Sequence, residues 1–166
     1  MPETWRNIWV ISDTHLSSGK FLPKSFVERV IREDLIIHLG DYISLDVIES
    51  LESLAALEGV HGNCDPPSIK TVYPSHKIIE IDDVKVALTH GSGGISGTMG
   101  AIRRKFEGKV DIVLFGHTHK TCHFRSGGTL FFNPGSLTSG RGNGRGYGLL
   151  HLDQEPWAEF VELPNI

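Results

Sequence analysis

In the first third of the chain, hydrophobic positions alternate between runs that suit buried strands and stripes that suit helices. Asn7 to Ser12 has Ile-Trp-Val-Ile at its centre, β-branched and aromatic enough for a strand covered on both faces, and it stops at Asp13. Pro23 to Glu33 then sets Phe26, Val27, Val30 and Ile31 at helical spacing, with Pro23 suited to a first turn. Leu35 to Leu39 reads as a second buried strand ending at Gly40-Asp41. Leu45 to Leu57 carries Val47, Ile48, Leu51, Leu54 and Leu57 on one helical stripe. A short strand around Val60, ending at Gly62-Asn63, completes a βαβαβ opening, which predicts a parallel sheet with polar residues at its carboxyl edge.

Beyond His76 the rhythm changes. Ile78, Ile79 and Ile81 lead into Asp82-Asp83 and then Val84 to Leu88, the pattern of a hairpin. Gly97 to Phe106 is the last helix-compatible stretch. Ile112 to Phe115, His123 to Arg125, Thr129 to Phe132, Gly148 to Leu152 and Glu159 to Leu163 read as strands, and the glycine-rich Ser139 to Gly148 as a loop. An αβ beginning joined to an extended β ending predicts an α/β fold of two packed β-sheets flanked by helices, within one domain over residues 1–166.

Composition narrows the function classes. Of 166 residues, 39% are hydrophobic and 22% charged, which supports an ordinary core and excludes disorder as the main state. Lys+Arg 16 against Asp+Glu 20 leaves a net charge of −4, so no basic excess exists to follow a nucleic-acid backbone, and stable nucleic-acid binding is not expected. Cys64 and Cys122 lack the paired spacing of a zinc ribbon or redox motif. No apolar run reaches the roughly eighteen residues of a membrane span, and the N-terminus has no cleavable leader pattern; the expected location is a reducing cytoplasm, with no membrane partner.

Candidate chemistry sits at the strand ends. Asp13-Thr14-His15, Gly40-Asp41, Gly62-Asn63-Cys64-Asp65 and Gly116-His117-Thr118-His119 each follow a predicted strand, and Thr89-His90-Gly91 fits beside them. Loops at the carboxyl ends of strands in an open α/β sheet converge, so these side chains can surround one point. Imidazole nitrogens with carboxylate and amide oxygens suit first-row dications such as Mn, Fe, Co, Ni or Zn, and the lack of a cysteine cluster argues against iron–sulfur or structural zinc. Each cluster alone has an ordinary explanation as a helix cap, a turn or an exposed polar loop. His117 and His119 face the same way only if strand geometry persists past Gly116. It is the joint occurrence that favours a metal site. His38 reads as a packed strand residue, Trp5, Trp9 and Trp157 as packing, and Ser17-Ser18-Gly19-Lys20 lacks the earlier glycine of a P-loop.

In this order the motifs resemble those of the calcineurin-like metallophosphoesterase family: Asp-x-His, Gly-Asp, Gly-Asn-x-Asp or Glu, a later His, and Gly-His-x-His. Cys64 within its motif, the short chain and Asn133-Pro134-Gly135-Ser136 are most similar to the family's small prokaryotic phosphodiesterases, and the match runs from about Ile8 to Ser136. The resemblance implies a four-layer sandwich and a metal-dependent phosphoesterase, above all a phosphodiesterase. Small-molecule phosphate esters would be its substrates, attacked by a metal-bridging hydroxide at a dinuclear centre. It assigns Asp13, His15 and His119 to one divalent ion, Asn63, His90 and His117 to the other, and Asp41 to both. Manganese leads the expected metals, with Ni, Co, Fe, Zn and Mg compatible. Asp41, Asn63, Asp65 and His90 form the expected catalytic set, Asp65 by orienting a neighbouring group.

Larger phosphoprotein phosphatases of the family carry His where Cys64 stands, so the general acid is unassigned and Cys64 reads as a small packing residue. Arg103, Arg104 and Lys105 read as a solvated helix face and Arg141 and Arg145 as a flexible surface turn, with contact to phosphate left open. The competing class is a non-catalytic scaffold resembling the family's retromer subunit, in which metal ligands are usually degraded; here each ligand position holds a competent donor. A DNA-repair nuclease is disfavoured by the acidic balance, and a homo-oligomer is left open.

Overall fold

Strand β1 (Ile8–Ile11) is buried along its whole length, because Ile8 and Val10 enter one core while Trp9 and Ile11 enter another. The same split recurs in β2 (Leu35–His38), where Leu35 and Ile37 oppose Ile36, and in β6 (Ile112–Phe115), where Ile112 and Leu114 oppose Val113 and Phe115. Side chains alternate across a strand, so a sheet built from such runs must be covered on both faces. The computed structural model, which describes residues 4–139 and 144–164, meets that demand with four layers.

One sheet has the order β10-β9-β1-β2-β3, the other β4-β5-β6-β8-β7. Their remaining strands are β3 (Ala56–Gly59), β4 (His76–Ile81), β5 (Val84–Thr89), β7 (Thr121–Ser126), β8 (Thr129–Pro134), β9 (Arg145–His151) and β10 (Trp157–Leu163). Between the sheets lie Val10, Ile37, Leu88, Leu114, Leu130 and Phe132 among others. Helices α1 (Lys24–Val27) and α2 (Leu45–Leu54) cover the outer face of the first sheet through Phe26, Val47 and Leu51. A short α3 (Pro67–Lys70) packs Ile69 against Tyr42 and Ile48, and α4 (Ile95–Phe106) covers the second sheet through Ile102 and Phe106. The expected α/β sandwich of two packed β-sheets flanked by helices is the observed one.

Strands β1, β2 and β3 run parallel, as do β5, β6 and β8, so the loops that follow them gather at one edge of the sandwich. The expected hairpin is β4 and β5, turning through Asp82 and Asp83, both with positive φ, the backbone that a tight two-residue hairpin turn requires.

Four boundaries differ from the sequence reading. The helix expected over Pro23 to Glu33 stops at Val27, since the buried Asp34 carboxylate accepts hydrogen bonds from the N–H groups of Asn7 and Ile31 and from the Trp9 indole, drawing the chain into β2. The helix expected to reach Leu57 stops at Leu54, because residues 56–59 pair with β2 in parallel register and satisfy their backbone there. That pairing also moves the third strand from Val60 to Ala56–Gly59. The glycine-rich segment expected as a loop to Gly148 joins β9 from Arg145 onward, where Gly146 and Gly148 allow close approach to β10 and Phe132.

Candidate metal centre

Each motif enters the site from the carboxyl end of a strand and is held there by neighbouring motifs. Asp13 follows β1, and its N–H donates to the Gly40 carbonyl while the His15 N–H donates to the Asp41 carbonyl, locking the first two loops together. Asp41 follows β2, and its N–H donates to Asp65 Oδ2 at 2.9 Å. The second sheet joins through His117 N–H, which donates to Asp13 Oδ2 at 3.0 Å, and through Leu137 N–H, which donates to the Ser12 carbonyl. The glycines of these motifs are needed because the loops touch: a Cβ on Gly62 would stand 2.1 Å from Asp41 Oδ1, and one on Gly116 would stand 2.0 Å from Ser12 Oγ.

Backbone strain is concentrated here. Among the described residues, the non-glycine positions with positive φ are Asp13, His15, Asp41, Ile43, His117 and His119, besides the two hairpin aspartates. Left-handed backbone disfavours most side chains, so a cluster of it at one place marks a site where geometry is imposed by surrounding contacts. The strand geometry that a common facing of His117 and His119 would have required does not persist past Gly116. Strand β6 ends at Phe115, and the two rings point to opposite halves of the site.

The donor atoms form two groups that share one oxygen. In the first, Asp13 Oδ1 is 3.1 Å from His119 Nε2, and His15 Nε2 is 3.3 Å from both His119 Nε2 and Asp41 Oδ2. In the second, Asn63 Oδ1 is 3.1 Å from His90 Nε2 and 3.2 Å from His117 Nδ1, and His90 Nε2 is 3.3 Å from Asp41 Oδ2. Asp41 Oδ2 therefore lies between the groups, while its Oδ1 accepts the Cys64 N–H at 2.8 Å.

Proton placement shows what these atoms lack. A carbonyl only accepts, so His90 Nδ1 must donate to Leu39 O at 2.7 Å and His117 Nε2 must donate to Gly93 O at 2.8 Å. In their neutral forms the two rings therefore turn lone pairs, on His90 Nε2 and His117 Nδ1, toward the Asn63 and Asp41 oxygens. Asp13 Oδ2 is satisfied by Ser12 Oγ–H and His117 N–H, yet among the described residues its fully buried Oδ1 has no hydrogen-bond partner, and neither does His119 Nδ1. Acceptors turned toward one another in a buried site fit a cation between them. Three sets, Asp13 with His15 and His119, Asp13 with Asp41 and His90, and His15 with Asp41 and Cys64, have donor atoms near enough to hold an ion.

Electrostatics agrees. Burial alone would raise the Asp13 carboxyl, but the adjacent His119 and His15 rings, the nearby His90 and the Ser12 hydroxyl outweigh it and hold it below the usual carboxylate range. Asp41 is likewise held low against burial, chiefly by His90. The Asp13 carboxylate raises His15, and His90 is raised against its burial by Asp41 and Asp13. Burial, then Asp41, pushes the Cys64 thiol up.

Asp65 stands behind the donors. Both its oxygens are taken by backbone N–H groups, Oδ2 by Asp41 and Gly62 and Oδ1 by Ile43, so it fixes the backbone that carries Asp41. Cys64 is exposed beside Asn63, whose amide lies 3.4 Å from its sulfur. Arg103 pairs with Glu107 and Ser126, and Arg145 donates to the Pro164 carbonyl, so both guanidinium groups are engaged elsewhere; Arg141 lies outside the described residues. Sequence reasoning missed three supports. Ser12 holds Asp13, Ser136 Oγ donates to the Asp13 carbonyl, and the Asn133 amide donates to Gly116 O and Thr118 Oγ1. The Asn133-Pro134-Gly135-Ser136 run was the available signal for two of them.

A family model described as the calcineurin-like phosphoesterase superfamily domain matches residues 7–155. A probable metallophosphoesterase of Methanocaldococcus jannaschii is 36% identical over 135 residues, which cover 79% of this chain and 68% of that protein. A phosphodiesterase of the same organism is 28% identical over 166 residues, covering 93% of this chain and 98% of its own. Among solved structures, a single mutant of Vps29 from Entamoeba histolytica aligns with a TM-score of 0.72 at 25% identity, over 95% of this chain and 99% of that one.

Proposed function

The chain belongs to the calcineurin-like phosphoesterase superfamily and is a metal-dependent phosphoesterase, and from that premise we propose a phosphodiesterase with a two-ion centre. Asp13, His15 and His119 would hold one ion, Asn63, His90 and His117 the other, and Asp41 both. The observation that carries this reading is the pair of donor groups meeting at Asp41 Oδ2, with buried Asp13 Oδ1 left without a hydrogen-bond partner. Two divalent ions, when bound, acidify water and draw charge from phosphoryl oxygens.

The chain's own residues supply the rest. Asp65 holds the Asp41 backbone, Leu39 and Gly93 carbonyls orient the His90 and His117 rings, and Ser12 fixes the Asp13 carboxylate. A mixed imidazole and carboxylate donor set suits manganese, which we take as the working ion, in a single cytoplasmic catalytic domain. Preference for diesters is supported by the M. jannaschii phosphodiesterase relative, and Cys64, which leaves no histidine acid at that position, favours esters with acidic leaving groups.

The test is elemental analysis of the purified protein, paired with hydrolysis of bis(4-nitrophenyl) phosphate after stripping and adding back Mn, Ni, Co, Zn or Mg. Metal-restored turnover that disappears in Asp41→Ala and His117→Ala is the expected result. Bound metal without turnover on any ester would favour a scaffold like its structural neighbour Vps29, and a strong preference for monoesters would overturn the diester assignment.

A further inference from the structure

A cavity of about 370 Å³ opens beside the second donor group. Asn63, His90, Ile102, Phe106, His76 and Lys105 are among the residues that line it. Its size falls within the few hundred Å³ of sites that enclose small organic groups. Lys105 lies on the exposed helix face that the sequence predicts, at the cavity's rim. Its Nζ donates to His76 Nε2 at 3.0 Å and stands 5.5 Å from the centre of the Phe106 ring. An imidazole nitrogen that accepts from an ammonium is neutral, and the other ring nitrogen is 3.1 Å from Ser75 Oγ. The neighbouring Arg103 is paired with Glu107, whereas among the described residues the Lys105 ammonium meets no carboxylate. A cation with only a neutral partner, on an apolar cavity continuous with two metal-ligand candidates, is complementary to an anion carried on an organic group.

We propose that this cavity receives one ester arm of the substrate and that Lys105, oriented by His76, recognises an anionic group on that arm. The natural substrates are then phosphodiesters bearing a second negative charge away from the reacting phosphorus. This rests on the phosphodiesterase reading and adds to it the chemistry of the arm. Lys105 acts on binding alone and takes no part at the metals.

Two substrates of nearly equal size separate these roles: bis(4-nitrophenyl) phosphate, and the analogue in which one nitro group is replaced by carboxylate. With the metal-loaded full chain, KM is expected to be lower for the carboxylate substrate. Lys105→Met, which keeps the apolar stem, should raise that KM about threefold to fivefold, the upper scale for an exposed ion pair, while metal content and both parameters for bis(4-nitrophenyl) phosphate stay unchanged within about 1.5-fold. His76→Gln should give a smaller rise in the same KM. Calorimetric titration with 4-carboxyphenyl phosphate and phenyl phosphate reads the cavity without turnover. A carboxylate-dependent gain in affinity that Lys105→Met abolishes supports the cavity assignment even if neither diester is hydrolysed, in which case the phosphodiesterase reading alone falls. Equal affinity for the two ligands, or an equal loss for both substrates in Lys105→Met, would overturn the proposal.

Discussion

His38 makes the metal-free protein's stability depend on pH in a direction that can be worked out from its contacts. The side chain is fully buried at the end of β2 and stacks on Tyr42 with ring centres 3.7 Å apart. Gly40 N–H donates to its Nδ1 at 3.1 Å, so the proton sits on Nε2, which donates to Thr14 Oγ1 at 3.1 Å; that hydroxyl reaches the Asp41 carbonyl at 3.4 Å. A second proton would have to displace the Gly40 N–H in a site shielded from solvent. Burial accordingly pushes the ring from 6.5 down to about 3, with Asp13 and Asp41 pulling it up and His90 and His15 pulling it down. Below pH 6.5 the unfolded chain binds a proton that the folded chain refuses, so this contribution is complete above 6.5 and is lost progressively toward pH 3. At about 1.4 kcal/mol per pH unit, the loss between pH 6.5 and pH 5 is about 2 kcal/mol.

His15 and His90 act with the opposite sign in the metal-free state: raised by their carboxylates, they contribute fully below 6.5 and lose that contribution as pH rises through their folded values. The EDTA-treated protein is therefore expected to be most stable near pH 6.5. Urea unfolding at pH 8, 6.5 and 5, followed through tryptophan fluorescence, measures both limbs. His38→Gln should flatten the acidic limb by about 2 kcal/mol and leave the alkaline limb in place. An acidic limb that is absent in the native sequence, or one that survives in His38→Gln, would refute the account.

Two further substitutions address the site. Asp65→Asn replaces one oxygen that accepts a backbone N–H with an amide that cannot, and should cost about 2 to 4 kcal/mol in urea unfolding. It should also lower metal content, because the Asp41 backbone loses its anchor. Cys64→Ser should keep most turnover with metals bound, since the contact to Asp41 runs through the residue 64 backbone N–H; a loss of several orders of magnitude in kcat would assign the sulfur a direct role.

The layers of this fold were legible because its central strands are continuous apolar runs. Ile112 to Phe115 was read to the residue, and the hairpin turned where Asp82-Asp83 stood. Boundaries failed where a distant partner outcompeted local pattern. Leu57 lies on the helical stripe of α2, yet pairs with Ile36 in a sheet, and Ile31 fits a helical spacing that the Asp34 carboxylate breaks. The donors were legible as motifs, and all seven gather where the strand ends meet. Several of their supports were not, because Ser136 reaches Asp13 from 123 positions away, and Leu39 and Gly93 orient rings 51 and 24 positions away through backbone carbonyls that any residue would offer.

The strain and the joint between the sheets occur at the same residues. Asp13, His15 and Asp41 belong to loops of the first sheet, His117 and His119 to a loop of the second, and all five hold left-handed backbone. Such conformations cost on the order of 1 kcal/mol each and persist only where surrounding contacts over-determine them. Here those contacts cross between sheets: His117 N–H to Asp13, His90 Nδ1–H to Leu39, and Ser136 Oγ–H to Asp13. The inter-sheet core below packs apolar side chains such as Val10, Ile37, Leu114 and Phe132, contacts that set the distance between the sheets without directional bonds. Directional bonds at the edge fix the relative slide of the sheets, and with it the two donor groups on either side of Asp41 Oδ2. The centre is thus built by the same contacts that register the two sheets.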